Sequence, residues 1–272
     1  MKKLLFVILV AVSFQTQAQF DDRFYYPTAE WQHQFEDFQH RVFTLSVGTD
    51  TLHNVLLIPE ESNGITVLYF HGSGYNVTFY SQFVAPMVEA GYQVYMVDFR
   101  GYGKSTGTPL HTNVAADAPV VLAHVKALPQ VQDQTLWVYG TSLGSQVAAH
   151  LTRQHASEID ALVLDGPMAS FTDIAATTAP AEQQDMIRQY VTSPYAAKED
   201  VKYLEETPLL VIGSEEDSSV PFAQIQEVYD QATGPKLLWV YEGEHLQGPV
   251  LDTEAFLQQL EALYALSADA QK

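Results

Sequence analysis

Ser142 is the side chain in this sequence best set up for chemistry. It stands in Gly140-Thr141-Ser142-Leu143-Gly144, after an apolar, β-prone run and before a helix-prone one. A serine between two glycines at such a junction sits on a turn too tight for flanking side chains, with its hydroxyl presented for attack. A serine hydroxyl is a weak nucleophile until a base takes its proton. The strand, Gly-x-Ser-x-Gly, helix order implies an acid and then a histidine further along the chain. Of the nine histidines, His150, His155 and His245 alone follow Ser142. His150 and His155 belong to the helix leaving the turn and are read as structural. His245, in Glu242-Gly243-Glu244-His245, follows the last β-prone run and is the expected base. The acid stays open at this point. Glu215, Glu216 and Asp217 follow the run Leu209–Ile212, and Asp165 ends an earlier run. An aspartate followed by Ser218-Ser219-Val220-Pro221 also reads as a turn or helix-cap residue.

A carbonyl attacked by Ser142 develops negative charge that backbone N–H groups must meet. The Leu143 amide, at the start of the helix, is one candidate. The second is Ser73, in the glycine-bearing loop His71-Gly72-Ser73-Gly74. His71 is expected to hold that loop by hydrogen bonds.

Positioning these groups requires strands that end together. Phe43–Val47 and Leu52–Pro59 read as two strands joined at Gly48-Thr49-Asp50. Short apolar runs at Ile65–Phe70, Gln93–Phe99, Leu136–Tyr139, Ala161–Leu164, Leu209–Ile212 and Lys236–Tyr241 read as buried strands. Helical patterns separate them at Phe79–Ala90, Asn113–Leu128, Leu143–Gln154, Ala223–Gln231 and Thr253–Leu266. This alternation predicts an α/β fold, a mostly parallel sheet with an antiparallel N-terminal start and helices on both faces. Residues 171–207 carry no strand pattern and read as a lid inserted over the sheet's C-terminal edge, the edge at which such folds bind ligands. Residues 19–272 read as one domain, and residues 21–39 as an arm packed on it.

Four collinear stretches resemble the α/β-hydrolase superfamily, within it the small-lidded, serine aminopeptidase-like hydrolases. They are His71–Gly74, Asp98-Phe99-Arg100-Gly101-Tyr102-Gly103-Lys104-Ser105, the turn around Ser142, and Asp217–Pro221 with Gly243–His245. The similarity runs from about residue 40 to 265. The resemblance implies the α/β-hydrolase fold and a Ser142–His245–Asp217 triad, with Asp165 the second choice of acid. The acid loop is one residue longer than a common family spacing, which makes Glu216 a rival. The resemblance also implies that Arg100–Ser105 shapes the rim of the site, and its spacing is not that of a phosphate-binding loop. The implied reaction is hydrolysis of an ester or thioester through an acyl-enzyme, with no metal or organic cofactor. The alternatives are a peptidase acting on short peptides and a non-catalytic protein that keeps the fold.

Composition narrows the classes further. The chain is 47% apolar and 17% charged, as folded domains are. No cysteine is present, which excludes thiolate chemistry and cysteine metal sites. A net charge of −20 repels phosphate backbones and argues against nucleic-acid partners. The expected partner is a small-molecule or peptide substrate. Lys2 and Lys3 precede an apolar run, Leu4–Val12, too short to span a bilayer, and Ala18 closes a polar stretch. Residues 1–18 therefore read as a signal peptide, and the protein as periplasmic or secreted.

Overall fold

The structure is a computed structural model that describes residues 21–270. The expected signal peptide lies outside the described residues. Strands β2 (Gln39–Val47), β3 (Asp50–Ile58), β4 (Ile65–Phe70), β6 (Gln93–Val97), β7 (Thr135–Thr141), β8 (Ala161–Asp165), β9 (Leu209–Ser214) and β10 (Lys236–Tyr241) form one large sheet. Its order is β10-β9-β8-β7-β4-β6-β3-β2. From β10 to β6 every neighbour is parallel, whereas β3 is antiparallel to both β6 and β2. The antiparallel start follows from the two-residue turn at Gly48, whose φ of 67° suits glycine and sends the chain straight back.

The parallel strands other than the edge strand β10 are buried on both faces, so their side chains feed two cores with a period of two. Leu68, Phe70, Val138, Leu162, Leu164 and Val211 face one core. Helices α2 (His111–Ala127) and α3 (Leu143–Gln154) cover it through Val121, Leu122, Val125, Val147 and Leu151. Val67, Tyr69, Trp137, Tyr139, Val163 and Ile212 face the other. There α1 (Val77–Glu89) and the C-terminal helix Thr253–Ala270 close over it with Val84, Met87, Phe256, Leu260 and Leu263. Each large side chain buried this way contributes on the order of 1.5–3 kcal/mol relative to exposure.

Between β8 and β9 the chain adds helices Phe171–Thr178, Ala181–Tyr190 and Ala197–Asp200 and no strand. The N-terminal arm does more than pack. Its β1 (Tyr26–Pro27) pairs in parallel with β5 (Gly74–Tyr75), a two-residue ribbon that no sequence pattern announces. A further short helix, Gly248–Leu251, follows the last strand and has no separate signal in the sequence.

The Arg100–Ser105 loop is fixed by charge. The Arg100 guanidinium donates from Nε and Nη2 to both carboxylate oxygens of Asp117, each at 2.7 Å, and from Nη1 to Asp50 Oδ2 at 2.5 Å. It also reaches the Val47 carbonyl, so one side chain ties this loop to the β2–β3 turn and to α2. With Arg100 only 14% exposed, the fork has little competition from water. A lysine presents one point charge instead of a fork. Arg100→Lys is therefore expected to lower unfolding free energy by about 1–3 kcal/mol. Urea unfolding at neutral pH measures it, and a loss below about 0.5 kcal/mol, the size of an ordinary surface change, contradicts this role.

Candidate active site

Ser142 lies between β7 and α3 with φ 50° and ψ −117°, a conformation costly for any residue with a side chain. The turn is held by main-chain bonds: Ser142 N–H donates to the Asp165 carbonyl at 2.8 Å, and Ser145 N–H donates back to the Ser142 carbonyl at 3.0 Å. The flanking glycines have a steric reason. A Cβ on Gly144 would lie 2.1 Å from the Phe70 carbonyl oxygen, and one on Gly140 would lie 2.4 Å from the Gly144 oxygen. The helix can thus press its first turn against the end of β4.

His245 and Asp217 meet. Their loops leave adjacent parallel strands, β10 and β9, and His245 Nδ1 lies 2.6 Å from Asp217 Oδ2. The other Asp217 oxygen accepts the N–H groups of Ser219 and Val220, each at 2.8 Å. The turn-residue reading and the functional reading therefore both describe Asp217, one per oxygen. Its side chain is fully buried, whereas Glu215 and Glu216 are exposed. The two loops are also tied to each other. Ser214 donates to the Gly243 carbonyl at 2.5 Å and Ser218 to Glu244 Oε2 at 2.7 Å, while Tyr241, where the His245 loop begins, donates to the Glu244 carbonyl at 2.8 Å. His245 packs on Gly166, where a Cβ would come within 2.6 Å of its Cε1. Gly166 follows the residue whose carbonyl holds the Ser142 amide, so His245 sits beside the serine turn. The hydrogen bond recorded for the His245 ring is the one to Asp217, and none joins it to Ser142 Oγ.

The loop after β4 has its own geometry. His71 is fully buried, and burial pushes its pKa down to about 4, so the ring is neutral. Nε2 accepts the Phe99 N–H at 3.3 Å, so the proton is on Nδ1, which donates to the Gly72 carbonyl at 2.7 Å. In a planar trans peptide the N–H points opposite the carbonyl. His71 therefore turns the Ser73 N–H to the side away from itself. The Ser73 carbonyl is fixed in turn by the Tyr26 N–H at 2.8 Å and the Tyr102 hydroxyl at 2.5 Å. Sequence reasoning singled out Ser73 and His71. It did not foresee Tyr26 and Tyr102, although Tyr102 lies in the loop read as rim-shaping.

Ser142, Leu143 and Ser73 line one cavity of about 500 Å³. Met168, Ile174, Ile187 and Val220 make it largely apolar, and the inserted helices between β8 and β9 form much of its wall. Ser219, two residues past Asp217, borders it as well. The arm contributes Phe24, Tyr26 and Arg23, and among the described residues Arg23 is the one charged side chain of the lining. His150 and His155 lie elsewhere, against Asp200 at 3.0 Å and Glu158 at 2.8 Å. Asp165 ends β8 fully buried, with its Oδ2 accepting the Tyr139 hydroxyl at 3.0 Å, and it does not bond His245. Among the described residues no group of three or more His, Cys, Asp or Glu side chains is arranged to hold a metal ion.

A mostly parallel sheet wrapped by helices, with a strained serine at the edge where its strands end, is the architecture of the α/β-hydrolases. A solved esterase from Pyrococcus furiosus superposes with a TM-score of 0.72 at 18% identity, covering 88% of this chain and 97% of that one. Residues 61–196, half of the chain, match the family described as serine aminopeptidase, S33, and the chain belongs to that family. Protein bem46 of Schizosaccharomyces pombe is 29% identical over 178 residues, 64% of this chain and 59% of that protein. Lysophosphatidylserine lipase ABHD12 of Mus musculus is 30% identical over 194 residues, 63% of this chain and 46% of that protein. The chain thus spans about half to three fifths of the length of these curated relatives.

The contact at Gly144 gives a direct test. A methyl group there must displace the backbone of Phe70 and His71, since no flexible side chain is present to yield. Gly144→Ala is expected to cost on the order of 1–3 kcal/mol of stability from overpacking. It should also reduce hydrolysis more than the fall in folded protein explains, because the serine turn and the Ser73 loop move apart. Folded fraction and specific activity measured on the same samples decide it; wild-type activity per folded molecule removes the claim.

Proposed function

We propose that the protein is a serine hydrolase that cleaves carboxylic or thioesters of small to medium acyl groups. Ser142 is the nucleophile, His245 the general base, Asp217 the residue that orients the imidazole, and the Ser73 and Leu143 amides the oxyanion donors. The observation that carries this reading is the 2.6 Å contact between His245 Nδ1 and Asp217 Oδ2 beside a strained Ser142 turn. With its Nδ1–H engaged by a carboxylate, the neutral ring has Nε2 as the lone-pair nitrogen that takes the Ser142 proton. The hydroxyl then attacks the carbonyl, and the tetrahedral oxyanion is met by N–H groups. Collapse expels the alcohol or thiol, which receives the proton from His245. Water attacks the acyl-enzyme in the same way and releases the acid. The unliganded spacing of serine and base is no obstacle, since such hydrogen bonds often tighten only in the substrate complex.

The cavity lining favours esters over peptides. An aminopeptidase must hold the terminal ammonium of its substrate, and carboxylates do this best. Among the described residues the lining contains none. An apolar volume of about 500 Å³ accommodates an acyl group of modest length. Export to the periplasm or medium is part of the proposal and rests on the pattern of Lys2, Lys3, Leu4–Val12 and Ala18.

A fluorophosphonate probe and a panel of p-nitrophenyl esters with matched amino-acid p-nitroanilides test the reading together. Ser142 should be labelled, and Ser142→Ala and His245→Ala should lose both labelling and turnover, by roughly 10⁴-fold or more in kcat. Asp217→Asn should keep the fold yet lose about 10⁴-fold in kcat, because an amide no longer enforces the productive tautomer. Equal labelling of Ser142→Ala overturns the nucleophile. Anilides hydrolysed faster than esters overturn the substrate class.

A further inference from the structure

The triad leaves unused a buried acid at its own edge of the sheet. Asp165 closes β8, is inaccessible to solvent, and holds its carboxyl on the same side of the sheet as Val163 and Tyr139. Its Oδ2 accepts the Tyr139 hydroxyl at 3.0 Å, while its Oδ1 has no hydrogen-bond partner. A buried carboxylate oxygen without a partner is costly and calls for an explanation beyond packing. The next residue, Gly166, has its backbone directly against the His245 ring. The Asp165 carbonyl holds the Ser142 amide. Asp165 is thus joined through its own backbone to the nucleophile and through its neighbour to the base.

The groups that face it are few. Tyr139 donates to it from β7, and Tyr69, from β4, lies 5.4 Å ring to ring from Tyr139 with its hydroxyl engaged by Thr141. Tyr241 at the end of β10, Asp217 and His245 complete the electrostatic surroundings. Burial raises the Asp165 pKa to about 7; the Tyr139 hydrogen bond and His245 oppose this rise, and Asp217 adds to it. Coupling between two charges is reciprocal, so whatever stabilises the Asp165 anion beside a charged His245 equally stabilises the imidazolium beside that anion.

We propose that Asp165 is a positioning residue for His245, a second buried carboxylate whose negative charge stabilises the imidazolium formed when Ser142 attacks. It touches neither substrate nor the transferred proton; it acts through the field it places at the imidazole. This inference rests on the triad reading above. With Asp165 protonated, His245 works with Asp217 alone. As pH rises through the Asp165 titration the proton leaves to solvent, the anion forms, and the transition state gains a second counter-charge. The wild-type rate therefore rises further as the Asp165 proton is lost, beyond what Asp217 alone gives His245.

The test is the pH profile of kcat/KM on a p-nitrophenyl ester from pH 5.5 to 9, for wild type, Asp165→Asn and Tyr139→Phe. Asp165→Asn should match the wild type at the acid end and fall about tenfold below it at pH 8–9, the effect of one pKa unit of coupling. Its profile should lack the rise that the Asp165 anion adds to the wild type. Tyr139→Phe removes the hydrogen bond that favours the anion, so that rise should move to higher pH. A residue that merely supports the strand end lowers the rate by the same factor at every pH, and that result for Asp165→Asn overturns the proposal. A rise that stays at the wild-type pH in Tyr139→Phe overturns it too, and this variant needs no change at Asp165. Fluorophosphonate labelling of Ser142 in the wild type separates the two readings. Labelling with an unchanged Asp165→Asn profile sinks the Asp165 proposal and leaves the triad standing, whereas no labelling sinks the triad itself.

Discussion

The first turn of α3 rests on the bare backbone that ends β4, with Gly144 facing the carbonyls of Phe70 and His71. Two glycines permit that approach, and much of the site follows from it. It places the Leu143 amide and the Ser73 loop at the edge of the same cavity. It also forces Ser142 into a positive φ, which the surrounding bonds must sustain. Those bonds come from the neighbouring strand end: the Asp165 carbonyl takes the Ser142 amide. The fold can maintain this strain because β4, β7 and β8 are buried on both faces and cannot shift independently.

Around that contact, neutral and charged groups are separated by burial. His71 lies in the interior, stays neutral and works as a scaffold: one nitrogen accepts from Phe99, the other donates to Gly72. His245 sits at the edge, 17% exposed, with a carboxylate on one nitrogen. The same residue type thus takes two roles according to depth and partners. The Asp217 and His245 loops are cross-tied through Ser214 and Ser218, and Tyr241 braces the His245 loop from within, so His245 does not depend on one hydrogen bond for its place.

Much of this was legible in the sequence because it is encoded locally. The strand runs Ile65–Phe70 and Lys236–Tyr241 and the helix Leu143–Gln154 have the bounds their patterns imply. Other bounds shift by a few residues at turns: α1 begins at Val77, where Asn76 caps it, ahead of the apolar run at Phe79. The parts that were not legible are tertiary. Pairing of Tyr26–Pro27 with Gly74–Tyr75 involves two residues on each side, too few for any periodic signal. The arm's place in the cavity wall, through Phe24 and Tyr26, depends on that pairing. The inserted helix Ala181–Tyr190 buries none of its residues, so its sequence carries no core-facing stripe to reveal where it lies.

The choice of acid shows where local reading ends. Asp165 and Asp217 follow adjacent parallel strands, β8 and β9, and both stand at the edge that His245 reaches. Nothing in either tripeptide decides between them. The difference is loop length. Asp165 is the last residue of its strand, so its carboxyl stays within the layer of the sheet, under Tyr139. Asp217 stands three residues past the end of β9, far enough for its carboxyl to rise to the Nδ1 side of the imidazole while the Ser219 and Val220 amides hold its other oxygen. The longer acid loop, which at the sequence level made Glu216 a rival, is also what carries Asp217 clear of the strand. Two carboxylates on neighbouring strands therefore differ in what they meet, one a histidine and two amides, the other a phenol and a vacant side. That difference in partners is the condition under which the proposed role of Asp165, to act on the imidazole by its charge alone, arises.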